Sequence, residues 1–336
     1  MNPKAAACGV IQVKPGIGDV IWHLPFIRAI AATAPGGCVS FLAPPTSRAA
    51  ELLSAEPYIA TTLYFEHAGS ELQRGINLMR LVALLRRQNF HSIWILDRTT
   101  RPALAALLAG IPERIGLGLG AQSLFITNPG VDRSHFHDHP IDWLRALMMA
   151  MNVPLPTTEP NLHVPQETLA AIDARYGAAA RPWIVLGIGA SDPNRDWPDD
   201  WWNEFLGAVR TRTPGTVFLI GGSKNSARAT ALIARSSGAP AVNACELQLV
   251  QSLALLHRAD LFIGPDSGPM NLALAASTPA FAMFGVNPVL NYSRFIRPLQ
   301  PAGGPVPDGM RRIKPSAVLS AVAPFLSSRK ETVEVR

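Results

Sequence analysis

Twice along its length, near residue 9 and again near residue 183, the chain runs through the same succession: a short apolar stretch, a glycine-rich loop and an amphipathic or apolar helix-like segment. The first copy reads Gly9 to Val13, Lys14-Pro-Gly-Ile-Gly-Asp19, then Val20 to Ala34. The second reads Trp183 to Gly187, Gly187-Ile-Gly-Ala-Ser-Asp192, then Pro198 to Arg210. Strand-like and helix-like segments alternate after each start, which argues for two parallel sheets wound with helices. Between them VPLPTTEPNLHVPQE carries Pro154, Pro156, Pro160 and Pro165 and reads as a linker. The expected domains are therefore residues 1–165 and 166–336, two Rossmann-like α/β/α halves facing a central cleft, with ligands at the carboxyl ends of the strands. A length of 336 residues suits two domains.

Within the second half, Leu261 to Gly285 (LFIGPDSGPMNLALAASTPAFAMFG) reads as a buried strand, a Pro265-Asp266-Ser267-Gly268 turn, a helix over Met270 to Ala276 and a second buried strand. A strand giving way to a helix N-terminus leaves backbone N–H groups unpaired, and these favour phosphate or carboxylate. Asp266 and Ser267 are equally suited to capping that helix. Both readings stand at this point, as they do for Asp19, which precedes Val20 as a cap residue would.

Several classes are excluded by composition. No apolar run approaches the ~18 residues of a membrane span, and the first residues, reaching Lys14 and Pro15 after a short strand-like stretch, do not read as a leader; the expected location is cytoplasmic. Cys8, Cys38 and Cys245 are too few and too scattered for a disulfide framework or a zinc site. The net charge of +6 is mostly arginine, which suits phosphate or carboxylate partners. No basic block or aromatic RNA-binding signature points to nucleic acid. The first loop lacks the third glycine of a dinucleotide fingerprint, and Ala43-Pro44-Pro45 stands where a ribose-binding acid would be, which disfavours a nicotinamide dehydrogenase. His135, His137 and His139 with Asp138 alternate like solvated loop residues, and no bound metal is expected. Trp201 and Trp202 read as helix-packing side chains rather than a base-stacking pair.

Three segments together carry a resemblance: KPGIGDVIWHLP (14–25), GIGASDPNRDWP (187–198) and Gly264 to Gly285. Their order and residues resemble glycosyltransferase family 9, the ADP-heptose:lipopolysaccharide heptosyltransferases, through roughly residues 10–325. The resemblance implies a GT-B fold and an inverting, metal-independent sugar transfer without a cofactor, the nucleotide sugar being a co-substrate. Asp19 matches the family's proposed general base. Ser191 and Arg195 match the hydroxyl and cation on the donor diphosphate, and Asp266, Ser267 and Gly268 match its D-[ST]-G donor turn. Asn271, also expected on the donor, stands where a histidine is common and keeps a hydrogen-bond donor there, and Ser223-Lys224-Asn225-Ser226 follows Gly221-Gly222 where an acid is common. Gly18, Arg98 and Arg101 are the expected acceptor-side residues, for an anionic glycolipid acceptor at the cytoplasmic face of the inner membrane, with peripheral contact to that surface. A final helix near 313–326 is expected, one that in GT-B proteins packs back on the first domain. The alternatives are a relative using another nucleotide sugar, or a protein or other glycan acceptor, and a non-catalytic sugar-nucleotide-binding protein of the same fold.

Overall fold

A computed structural model describes residues 7–66, 68–132, 134 and 139–326. The chain divides into two compact units, Met1–Pro160 and Asn161–Arg336. The division falls within the proline-rich stretch, slightly before the 165/166 point expected from sequence.

Unit 1 contains, in order, β1 (Cys8–Ile11), α1 (Ile17–Thr33), β2 (Val39–Ala43), α2 (Ala49–Leu52), β3 (Ile59–Tyr64), α3 (Glu71–Gln88), β4 (Ser92–Ile95), α4 (Thr100–Leu108), β5 (Glu113–Gly116) and α5 (Pro140–Ala150). All pairings in its sheet are parallel, in the order β3-β2-β1-β4-β5. The central strand β1 is buried along its whole length and the edge strand β3 is not, as its IATTLY sequence, half of it polar, requires. Helix α3 starts where the Ser70 side chain accepts from Gln73 N and ends at left-handed Asn89, both ordinary terminus devices. Of the histidine cluster noted in the sequence, His135, His137 and Asp138 lie outside the described residues; the His139 ring accepts from Ile141 N and caps α5.

Unit 2 contains α6 (Gln166–Tyr176), β6 (Trp183–Gly187), α7 (Asp199–Arg212), β7 (Thr216–Ile220), α8 (Ser226–Ala234), β8 (Ala241–Asn243), α9 (Leu249–Arg258), β9 (Leu261–Pro265), α10 (Gly268–Ala275), β10 (Ala280–Met283), β11 (Ile296–Leu299) and α11 (Pro315–Val322). Its parallel sheet runs β11-β10-β9-β6-β7-β8. Three elements were not anticipated. Pro165 starts α6 inside the stretch read as linker, and the edge strands β5 (ERIG) and β11 (IRPL) are short and half polar, with Pro298 tolerated because β11 has a neighbour on one side only.

The last helix, near where the sequence placed it, contributes to the core of unit 2. Val318, Leu319, Val322 and Leu326 pack into the same core as Trp197, Trp202, Phe205 and Leu206 of unit 2, and the Trp197 indole donates to the Ile313 carbonyl at 2.9 Å. The apolar face of α11 packs against α7 of its own unit. Trp202 is fully buried and Trp201 is half-buried under the Lys314 ammonium, so both tryptophans pack the unit as read from sequence.

Candidate active site

In each sheet the chain order reverses beside the first strand, and that switch point is where open α/β sheets bind ligands. In unit 2 the switch lies between β6 and β9, which pair directly. These strands approach so closely that a Cβ on Gly264 would lie 2.9 Å from the Gly187 carbonyl oxygen and 2.8 Å from the Phe262 ring. Glycine at both positions lets the two following loops meet.

They meet through Arg195. Its Nη2 donates to Ser191 Oγ at 3.2 Å and its Nη1 to the Asp266 carbonyl oxygen at 3.2 Å. The same Nη1 is 3.7 Å from the Asp266 carboxylate, which also accepts from Asn287 Nδ2 at 2.9 Å. Thus Ser191, Arg195 and Asp266, three of the residues singled out from sequence, form one hydrogen-bonded cluster. Arg195 sits in a loop clamped from behind: Arg228 of α8 donates to Asp196 Oδ2 at 2.6 Å, Asp199 Oδ1 at 2.8 Å and the Trp197 carbonyl at 3.1 Å.

Ser267 is the N-cap of α10 yet makes no side-chain cap; its hydroxyl donates to the Pro265 carbonyl at 3.1 Å. Pro269 has no N–H to offer, so the helix start presents the Gly268 end of its dipole without a capping side chain. The capping reading of this turn is the one the structure does not adopt. Asn271 is buried, donates to the Ser267 carbonyl at 2.9 Å and accepts a short hydrogen bond from the Tyr292 hydroxyl. It braces the turn from beneath. Asn225 donates to the Gly221 carbonyl and packs on Gly189, whose φ of 84° only glycine adopts easily.

In unit 1 the switch lies between β1 and β4, and the loops after them are tied together by Val13 N donating to Asp97 Oδ2 at 3.1 Å. Asp97 also accepts from Thr99 N and Thr99 Oγ1. Burial pushes its carboxyl above the usual carboxylate range, against the pull of these hydrogen bonds. Asp19 occupies the third position of α1, where its Oδ2 accepts from Gly16 N at 3.0 Å. Asp19 thus lies inside the helix, closing its first turn from the third position, and is not the cap just before Val20. Its side chain nonetheless stays 22% exposed, with Oδ1 3.9 Å from Lys14 Nζ. Lys14 in turn stands 4.9 Å from the Trp22 ring centre. Gly18 lies in the same turn. Arg98 is exposed and rests over Trp143 at 5.2 Å, and Arg101 is exposed on the first turn of α4.

Sequence reasoning missed Tyr292, Asn287, Arg228 and the Gln12–His23 pair behind the first loop. Only the proximity of Asn287 to the Phe284-Gly285 end of the third segment was a signal for any of them.

Solved structures share this architecture. A glycosyl transferase family 9 structure from Veillonella parvula covers 97% of this chain and 98% of its own at TM-score 0.78 and 18% identity. The E. coli heptosyltransferase WaaC with ADP-2-deoxy-2-fluoro heptose covers 94% and 99% at TM-score 0.71 and 16% identity. Two parallel-sheet α/β domains of this kind are those of the GT-B fold. A curated relative, lipopolysaccharide heptosyltransferase 2 of Salmonella typhimurium, is 24% identical, with 82% of each chain covered. The model of glycosyltransferase family 9 (heptosyltransferase) matches residues 78–301; the chain belongs to that family and is a glycosyltransferase.

Proposed function

We propose that the enzyme transfers a heptose from ADP-heptose to a lipopolysaccharide core acceptor with inversion, and that Asp19 is the general base. The observation that carries this reading is the Ser191–Arg195–Asp266 cluster beside the uncapped start of α10. A diphosphate leaving group gathers negative charge as it departs. A guanidinium, a hydroxyl and helix N–H groups fixed in advance stabilise that charge most where it develops. The Asp266 carboxylate accepts hydrogen bonds only, which suits it to sugar hydroxyls while Arg195 and Ser191 take phosphate oxygens. Asn271 and Ser267 support the donor by holding the turn that presents Gly268.

In the reaction the acceptor oxygen attacks the anomeric carbon from the face opposite the phosphate. The bond to the diphosphate oxygen breaks, ADP leaves with the electron pair, and the acceptor proton passes to Asp19. Lys14 stands beside Asp19, its Nζ 3.9 Å from Oδ1. Gly18, Arg98 and Arg101 are assigned to the acceptor, whose anionic groups would pair with the exposed guanidinium groups. No metal or cofactor has a place in this scheme, and the work would be done at the cytoplasmic face of the inner membrane.

A second reading, another nucleotide in the donor, is favoured by one observation: Asn225, held to Gly221, stands where a carboxylate would meet the nucleoside. Calorimetry with ADP-heptose, UDP-sugars and GDP-sugars separates the two. Preference for ADP-heptose supports the first reading; tighter binding of a UDP- or GDP-sugar replaces it with the second.

A further inference from the structure

Helix α3 carries two apolar faces. Leu81, Val82 and Leu85 of one are buried against unit 1. On the other, Leu72, Ile76 and Met79 are 77%, 41% and 58% exposed, with Gly75 and Ala83 completing a stripe at helical spacing. Exposed Arg80 and Arg87 border that stripe on one side and Arg86 on the other. Arg86 reaches the Leu108 carbonyl of α4, beside Leu107 and Leu108, which are also partly exposed at 41% and 43%. Glu71, the acid at the head of the stripe, is paired with Arg74 at 3.4 Å.

We propose that this outer face of α3 is a docking surface for an anionic lipid bilayer. An apolar stripe between arginines is the arrangement of a helix lying in the headgroup plane: the apolar side chains enter the acyl boundary while the guanidinium groups reach outward to lipid phosphates. The charge fits that partner. Arg80 and Arg87 also line a groove with Tyr64, Asn77 and Glu66, leaving two cations against one acid. A second copy of the chain fits poorly, because a face-to-face pairing would set these arginines against their own counterparts. No described helix is long and apolar enough to cross a membrane, so attachment is at the surface. The inference stands apart from the choice of sugar and of base, since neither is on α3.

The test is sedimentation of the full chain with vesicles that contain no glycolipid acceptor, made of phosphatidylcholine alone or mixed with phosphatidylglycerol. Wild type should pellet with the mixed vesicles and far less with the neutral ones, and added salt should weaken the binding. Arg80→Gln/Arg87→Gln should bind about 25-fold more weakly, each arginine near the surface contributing about fivefold. Ile76→Glu/Met79→Glu should bind at least as weakly as that double variant. All four positions are exposed, and circular dichroism with unchanged donor binding verifies that the variants fold. Equal binding to both vesicle types, or full binding by either variant, overturns the proposal. So does a dimer seen by analytical ultracentrifugation that Ile76→Glu/Met79→Glu dissociates.

Discussion

Arg195 and Asp266 are 71 residues apart in sequence, yet the guanidinium of one donates to the carbonyl oxygen of the other at 3.2 Å and sits 3.7 Å from its carboxylate. The contact joins the loop after β6 to the turn after β9. It gives the cation a fixed position, with Ser191 and Asp192 also engaging the guanidinium. A cation held this way is pre-set for a diphosphate.

Replacing Arg195 with alanine is expected to lower kcat/KM for the nucleotide sugar by roughly 10²–10³ through loss of a fixed donor to the leaving group. Arg195→Lys should recover part of this, since lysine keeps the charge but not the two-pronged geometry. Steady-state kinetics over a range of donor concentrations checks both variants.

Tyr292 supports the donor turn indirectly. In Tyr292→Phe the buried Asn271 carbonyl loses its donor, at a cost of about 1–3 kcal/mol. Urea unfolding should show that loss, and donor KM should rise because Asn271 holds the Ser267 carbonyl. A rise in KM without a fall in kcat is the expected split.

His23 makes stability depend on pH. The ring is fully buried, its Nδ1 pairs with Gln12 and its Nε2 has no partner among the described residues. Burial, and secondarily the charge of Lys14, pushes its pKa down to about 3. The folded protein therefore keeps the ring neutral while the unfolded chain takes up a proton below its ordinary value. The contribution is intact above the unfolded pKa and is lost progressively as pH falls toward the folded one. Between pH 7 and 5 the loss is about 2 kcal/mol. Urea unfolding of unit 1 should show this slope in wild type and a flatter one in His23→Gln, whose amide does not titrate.

Much of this was legible in the sequence because it rests on local patterns. Buried strands such as Trp183–Gly187 and Thr216–Ile220 are continuous apolar runs ended by glycine, and their limits match the expectation. The edge strands β5 and β11 were not legible, because a four-residue strand with one neighbour needs neither a full apolar run nor the absence of proline. Ser191, Arg195 and Asp266 were picked out, and do cluster, because the loops after β6 and β9 carry distinctive residues. What they touch was not: that Ser267 donates to the Pro265 carbonyl and does not cap α10 is set by the folded turn and not by its residue types. Asn271 read as a possible ligand contact, and only the placement of Tyr292 shows both ends of its amide engaged.

The central claim is that Asp19 removes the acceptor proton. Asp19→Asn keeps an oxygen for the Gly16 N–H and so keeps the helix start to within about 1 kcal/mol, while removing the base. The decisive measurement is heptose transfer from ADP-heptose by this variant, alongside calorimetry of donor binding. A fall in kcat of about 10²–10⁴ with unchanged donor affinity is the predicted result. Transfer at the wild-type rate, with the fold and donor binding intact, would contradict it.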